Sequence, residues 1–196
     1  MGVIGHNGGP VLQPASGWKR HCWQQARAAL LPTLPVEVVR MRVARARELG
    51  LDYKTYAGVR AQTGHDVVAF LFSSNALRAM PQQPQIPPDH AARLAALQAV
   101  ARIGLAQRPL TARDLARNPE LDAAHPAPAA FASFRDQAAC LRAALGTLPG
   151  DRVILIAETA LEREWCAAGR LAACLPAAAF FGAGVTAAEN PRHSGW

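Results

Sequence analysis

Three carboxylates directly after the most strongly apolar run of the chain are the first candidates for chemistry. The run VILIA immediately precedes Glu158, and Glu162 and Glu164 follow within six residues. Glu158 and Glu162 are four residues apart and would share one face of a helix, where paired carboxylates can transfer protons or hold a metal ion. Arg152 and Arg163 are close in sequence, so a solvated ion-pair network is the competing interpretation. An enzyme with an acidic site after this run is therefore one functional hypothesis.

Histidine and cysteine residues do not follow the spacings of known metal or nucleophile motifs. The histidines form no HExxH or HxH pair, and the cysteines form no CxxC pair. We therefore expect no catalytic residue, metal site or cofactor from these residue types, and an enzyme is the less favoured class. The residues concerned are His6, His21, His65, His90, His125, His193, Cys22, Cys140, Cys166 and Cys174.

Positive charge is concentrated in the first part of the chain. The formal net charge of the 196 residues is +7. Residues 1–80 contain 10 basic and 4 acidic side chains, a balance of +6, whereas residues 81–196 contribute only +1. Nearly all of these cations are arginine, whose guanidinium suits bidentate contact with phosphate or carboxylate, although arginine-biased codon usage would produce the same preference. The charge pattern indicates a polyanionic partner, either duplex DNA or an acidic protein.

Residues 45–59, with the sequence RARELGLDYKTYAGV, resemble a helix-turn-helix. Ala46 lies four positions before Gly50, and apolar residues flank the corner at the matching places. Arg45 stands where this pattern usually has an apolar residue. The resemblance implies that the second helix, from about Asp52, enters the major groove of DNA. The residues that would contact bases or phosphates are Lys54, Thr55 and Arg60, with phosphate contacts from Arg40, Arg42, Arg45 and Arg47.

A plain helical hairpin without any role in DNA binding is the alternative interpretation of the same glycine corner. The beginning of the chain also resembles short uncharacterised alphaproteobacterial proteins that open with an IGHNGGP-like motif. That resemblance covers at most the first two fifths of the sequence and implies no activity. The opening residues lack the features of a secretory signal, and every apolar run is shorter than the roughly 20 residues of a membrane-spanning helix. We therefore expect a cytoplasmic protein without membrane contact.

Glycine and proline residues divide the chain into four expected parts. Residues 1–17 are rich in both and predict a flexible arm. Residues 18–80 form the basic helical module. The alternation of glutamine and proline predicts a linker over residues 81–88, and residues 89–196 form a C-terminal helical or α/β domain.

Helical periodicity predominates, and alanine is abundant whereas only 6% of residues are aromatic. We therefore predict a mainly α fold, with a helical N-terminal module and a helical C-terminal part containing one or two short buried strands. The apolar runs 67–72 and 153–157 are the candidate strands, and a single small α/β domain is the alternative if they lie side by side. The predicted helices cover residues 18–31, 36–49, 52–62, 89–107, 111–117, 129–145 and 159–174.

Three functional hypotheses follow. The leading one is a DNA-associated or regulatory protein that binds nucleic acid through its arginine-rich helices. The second is a non-enzymatic protein-interaction or assembly factor that binds an acidic partner. The third is an enzyme with an acidic site after the 153–157 strand.

Overall fold

The computed structural model describes residues 34–182. The predicted arm over residues 1–17 and the helix over 18–31 lie outside this range. The chain divides into two units, Met1–Val39 and Arg40–Trp196. Apart from the first residues of the helix that begins at Val36, the strands and helices of residues 34–182 lie in the second unit.

A parallel sheet of five strands forms the centre of the second unit. The strands are β1 (Ala69–Ser73), β2 (Ala101–Ala106), β3 (Ala123–Pro126), β4 (Val153–Ala157) and β5 (Ala173–Pro176), in the spatial order β3-β2-β1-β4-β5. In the central strand, Leu71 pairs with Ile103 on one side and with Leu155 on the other. All five residues of β1 and of β4 are buried. Their continuous apolar sequences are typical of parallel strands that are covered on both faces.

Seven α-helices within residues 34–182 connect and cover these strands. They are α1 (Val36–Glu48), α2 (Tyr53–Thr63), α3 (Pro88–Ala95), α4 (Ala112–Leu115), α5 (Phe134–Leu145), α6 (Ala160–Ala168) and α7 (Ala177–Gly182), with a 3₁₀ turn at Gly150–Arg152. Four of them begin at a side-chain cap that accepts a backbone N–H of the first turn, as short polar residues commonly do. These caps are Asp52, Thr111, Ser133 and Thr159.

Alternate side chains of the sheet enter two separate apolar layers. Phe70 and Phe72 of β1 point into a layer that also contains Tyr56 of α2, Leu94 of α3 and Phe180 of α7. On the opposite face, Leu71 and Leu155 pack with Leu141 of α5 and Trp165 of α6. The sheet is therefore enclosed between two layers of helices, as its apolar strands require.

The prediction of a mainly α fold is wrong, because the chain forms a five-stranded parallel sheet. The two apolar runs considered as strands pair directly, as β1 and β4. Residues 81–87 lie between β1 and α3, and Pro88 begins α3, so strands on both sides of the segment 81–88 belong to one sheet.

The predicted helix over 89–107 accounts for much of this error. The spacing of Leu94, Leu97 and Leu105 fits a helix, but α3 ends at Ala95 and Ala101–Ala106 forms β2. Ala99 has a φ of 50°, which a continuous helix does not allow. Hydrogen bonds to β1 replace those of the expected helix, an instance of tertiary structure overriding local periodicity. The helix expected over 159–174 is likewise divided into α6 and β5.

Candidate functional site

The predicted carboxylates lie at the carboxyl edge of the sheet, where the strand order reverses. After β1 the chain continues to β2 on one side, whereas after β4 it continues to β5 on the other side. Open α/β sheets commonly bind ligands beside this reversal. Ser73 ends β1, Gln107 follows β2, and Glu158 and Glu162 follow β4.

Five hydrogen-bond donors surround the carboxylate of Glu162, whose residue is 1% exposed. Its Oε2 accepts from the Ser73 hydroxyl at 2.9 Å, the Glu158 backbone N–H at 2.6 Å and the Thr159 backbone N–H at 3.0 Å. Its Oε1 accepts from the Asn75 side-chain amide at 2.8 Å and from that of Gln107. Glu162 therefore ties the loops after β1, β2 and β4 to one another.

These bonds leave the two oxygens of Glu162 without a free position for proton transfer, since a carboxylate offers about four acceptor sites. The backbone donors of the neighbouring strand ends are also occupied. The Ala76 N–H donates to the Ser73 hydroxyl at 3.0 Å, and the Gln107 N–H donates to the Ser74 hydroxyl at 3.1 Å. The contacts of the Glu162 carboxylate are therefore those of a structural residue.

The side chain of Glu158 is in a different environment from that of Glu162. Glu158 is exposed, and its carboxylate has no hydrogen bond or salt bridge to any residue within 34–182. The expected pairing of the two carboxylates with Arg152 and Arg163 is not among the ion pairs of these residues. Glu158 and Glu162 consequently do not form a pair of equivalent acid–base groups.

A buried histidine also lies near Glu158. The imidazole of His90, on α3, is 4% exposed and stacks on Phe181 of α7, with 3.7 Å between ring centroids and 3° between ring planes. Burial lowers the pKa of His90, and the positive charge of Arg78 acts in the same direction, while Asp89 and Glu158 oppose it. At neutral pH the stack is therefore between two uncharged rings.

This stack predicts a loss of stability in mild acid. Since the pKa of His90 is lower in the folded state than its unfolded value of about 6.5, the unfolded chain binds the proton first, and the free energy of unfolding falls as the pH decreases below about 6.5. The variant His90→Phe keeps an aromatic ring. Its free energy of unfolding, measured with urea, is expected to decrease less steeply between about pH 8 and pH 5 than that of the wild type. Equal slopes for both proteins would contradict this account; the difference at pH 8 measures packing alone.

Arg45, one of the predicted DNA contacts, is engaged inside the fold. Its guanidinium donates to Asp66 Oδ2 at 3.0 Å and to Glu48 Oε2 at 2.8 Å. It also donates to the carbonyls of Val67 at 3.1 Å and Ala99 at 3.0 Å. The Arg45 side chain is 18% exposed, and it joins α1 to the segments that precede β1 and β2.

The other predicted nucleic-acid residues are divided between internal contacts and solvent. Thr55 bonds to its cap residue Asp52 through both its backbone N–H and its hydroxyl. The Arg60 guanidinium lies 3.8 Å from Asp66 Oδ1. The remaining four have no salt bridge to residues 34–182. Arg42 is half-buried, and the other three are exposed, namely Arg40, Arg47 and Lys54. The structure therefore does not gather the seven side chains on one free surface.

The glycine corner of this segment packs on α3. Gly50 has a φ of 62°, which favours glycine, and a Cβ at this position would lie 3.1 Å from the Leu97 side chain. The Gly50 carbonyl accepts a hydrogen bond of 2.5 Å from the Arg93 guanidinium. Ala46, Leu49, Tyr56 and Val59 belong to the same apolar layer, so the residues around the corner contribute to the core.

A second site, which the sequence did not reveal, is a groove along α5. Its volume is about 730 Å³, and its thirteen lining residues include three arginines and no aspartate or glutamate. Arg135 and Arg142 come from α5, and Arg170 follows α6 on the other side. All three are exposed and have no salt bridge to residues 34–182. We call this feature the arginine groove.

The far end of the arginine groove is built by a close backbone contact. A Cβ on Gly150 would lie 2.5 Å from the Gly169 carbonyl oxygen and 2.9 Å from that of Arg170, so only glycine fits there. Arg170 itself has a φ of 50°, a conformation that costs a non-glycine residue about 1 kcal/mol or more. An arginine therefore occupies a position where glycine or asparagine would be less strained.

No protein-family model, curated protein or solved structure matches this chain. Within residues 34–182, no helix has both the length and the apolar character needed to cross a membrane. The same residues contain no group of three or more histidine, cysteine or acidic side chains arranged to hold a metal ion.

Proposed function

We propose that this protein is a non-enzymatic interaction protein whose arginine groove binds an acidic segment of a partner protein. The observation that carries the proposal is the presence of three exposed arginines in one groove without any lining carboxylate. Potentials of one sign in a concave site attract and orient a partner of the opposite sign.

The carboxyl edge of the sheet offers no competing candidate site among the described residues. Glu162 is buried and saturated with five donors, so neither an acid–base pair nor an anion cradle is open at the strand reversal. The arginine groove, in contrast, offers donors that have no acceptor within residues 34–182. Recognition of a partner at that groove therefore accounts for more of the structure than catalysis at the sheet edge.

The lining of the groove favours an acidic protein segment over duplex DNA. Apolar side chains also line the groove, among them the exposed Phe134 and the half-buried Ala138 and Leu148, and such side chains complement the apolar side chains of a peptide rather than phosphates. The chain's own termini fit poorly by charge. Residues 1–33 contain no aspartate or glutamate, and residues 183–196 contain only Glu189.

The test compares two variants of the full chain that each lose three positive charges. One replaces Arg135, Arg142 and Arg170 with glutamine, and the control replaces Arg40, Arg47 and Lys54 with glutamine. Binding of a fluorescent glutamate-rich peptide is expected to weaken at least about tenfold in the groove variant, equivalent to roughly 1.4 kcal/mol, because three exposed charge pairs contribute up to about 1 kcal/mol each.

The control variant is expected to bind the peptide within about threefold of the wild type, and the wild-type affinity should fall between about 0.05 M and 0.3 M salt. Equal losses of peptide affinity in both variants would show that only net charge matters, and they would contradict binding at the groove. Duplex DNA bound more tightly than the peptide, and lost in the control variant, would favour nucleic acid instead. A dimer in sedimentation that only the groove variant dissociates would identify a second copy of this chain as the occupant.

A further inference from the structure

The spacing of the groove arginines limits the conformation of the segment that they bind. Arg135 and Arg142 are seven residues apart on α5, so their Cα atoms are about 10 Å apart along the helix axis and lie on the same face. At this spacing each arginine can pair with a separate anionic group. Two carboxylates seven residues apart on a second helix, which is about two turns, have the same separation along the helix axis as the arginines.

Apolar side chains lie beside these arginines on α5. Ala138, three residues beyond Arg135, is half-buried, whereas Leu145, three residues beyond Arg142, is 8% exposed and belongs to the core. Phe134, in the first turn of α5, is 63% exposed at the end of the groove. The groove along α5 therefore presents Phe134 and Ala138 beside Arg135 and Arg142, and a complementary helix would carry an apolar face beside its acidic residues.

On the basis of the proposed function, we infer that the partner segment is an amphipathic helix that lies along α5. Two carboxylates of this helix, seven residues apart, bind Arg135 and Arg142, and an apolar side chain packs on Phe134. Arg170 contributes the third guanidinium from the opposite wall. The Arg170 backbone has a left-handed φ of 50°, and its N–H donates to the Ala167 carbonyl at 3.2 Å.

The test uses two alanine-based peptides of identical composition, each with two glutamates and two leucines. In the first, the glutamates are seven residues apart and the leucines lie on the same helical face. In the second, the glutamates are five residues apart and therefore point to different sides. The first peptide is expected to bind the full chain at least about tenfold more tightly, and circular dichroism should show that its helix content increases on binding.

A charge exchange then identifies the pairing. Arg142→Glu is expected to weaken binding of the first peptide at least about tenfold, and replacing its second glutamate with lysine should restore most of that loss. The same lysine peptide should bind the wild type more weakly than the original.

The possible failures of this inference and of the proposed function are distinct. If both peptides bind equally and the triple glutamine variant abolishes both interactions, the groove is an acidic-peptide site and the helical register is wrong. If the glutamate-rich peptide binds and neither alanine-based peptide does, the inference alone fails. If the triple variant leaves binding of the glutamate-rich peptide unchanged, the proposed function fails together with the inference. Binding that survives Arg142→Glu without any change also rejects the register.

Discussion

Replacing Glu162 with alanine is expected to lower the free energy of unfolding by about 3–5 kcal/mol. The change removes the acceptor of five hydrogen bonds, from Ser73, Asn75, Gln107 and the backbone of residues 158 and 159. Buried donors that lose their partner retain the cost of desolvation, which exceeds the net contribution of a satisfied hydrogen bond. The capping box at the start of α6 is lost as well.

The matched control is Glu158→Ala, four residues away on the same segment. Because Glu158 is exposed and its side chain has no bonded partner within residues 34–182, this change is expected to alter the free energy of unfolding by less than about 0.5 kcal/mol. Urea unfolding of the full chain at pH 7 measures both. If Glu162→Ala is too unstable to purify, Ser73→Ala removes one of the five donors and also the acceptor of the Ala76 N–H, and it is expected to cost about 1–3 kcal/mol. Similar small effects of Glu162→Ala and Glu158→Ala would show that Glu162 does not hold the loops together.

The sequence predicted the position of these carboxylates but not their different roles. The run VILIA indicated β4, and its neighbours were expected at the end of a buried strand. Only the register of β1 against β4 places Ser73 beside Glu162, 89 residues away in the chain. Nothing in the spacing of Glu158 and Glu162 distinguishes the buried carboxylate from the exposed one, although Thr159 followed by Glu162 is the sequence of a capping box. That signal would have favoured a structural role for Glu162.

The two edge strands, β3 and β5, could not be predicted from the local sequence. β3 and β5 are four residues each, lie at the two edges of the sheet and are only partly buried, so their alternation is too short to outweigh the surrounding helical periodicity. The groove on α5 was equally hidden. Arg135 and Arg142 are visible as a pair with helical spacing, but Arg170 comes from another connection and faces them only after α5 and α6 pack together.

The contacts of Arg45 in the fold differ from the phosphate contact that the sequence predicted for it. It occupies a place where the helix-turn-helix pattern usually has an apolar residue, and it was predicted to contact phosphate. In the fold its guanidinium bonds to two carboxylates and to backbone carbonyls of the segments before β1 and β2. A long cationic side chain at this place connects three chain segments, which an apolar residue could not do because the carbonyls would remain unpaired.

We therefore expect Arg45→Ala to lower the free energy of unfolding by about 2–4 kcal/mol, since Asp66 Oδ2 and three backbone carbonyls lose the donor that Arg45 supplies in a partly buried position. Arg47→Ala removes an exposed arginine from the same helix and should change stability by less than about 0.5 kcal/mol. Urea unfolding at pH 7 compares the two. Equal effects would mean that Arg45 acts through surface charge alone.

The pH dependence of the Arg45→Ala penalty provides a second and independent measurement. Partial burial would raise the pKa of Asp66, but hydrogen bonds from Tyr56 and Val67 and the charge of Arg45 lower it overall. A carboxylate with a lowered pKa stabilises the fold above its unfolded pKa of about 3.9, and this contribution is lost as the pH falls through the folded pKa. In the wild type, protonation of Asp66 removes one of the two charged partners of Arg45. The difference in stability between wild type and Arg45→Ala should therefore narrow toward about pH 3, whereas a penalty that arose only from lost apolar packing would stay constant.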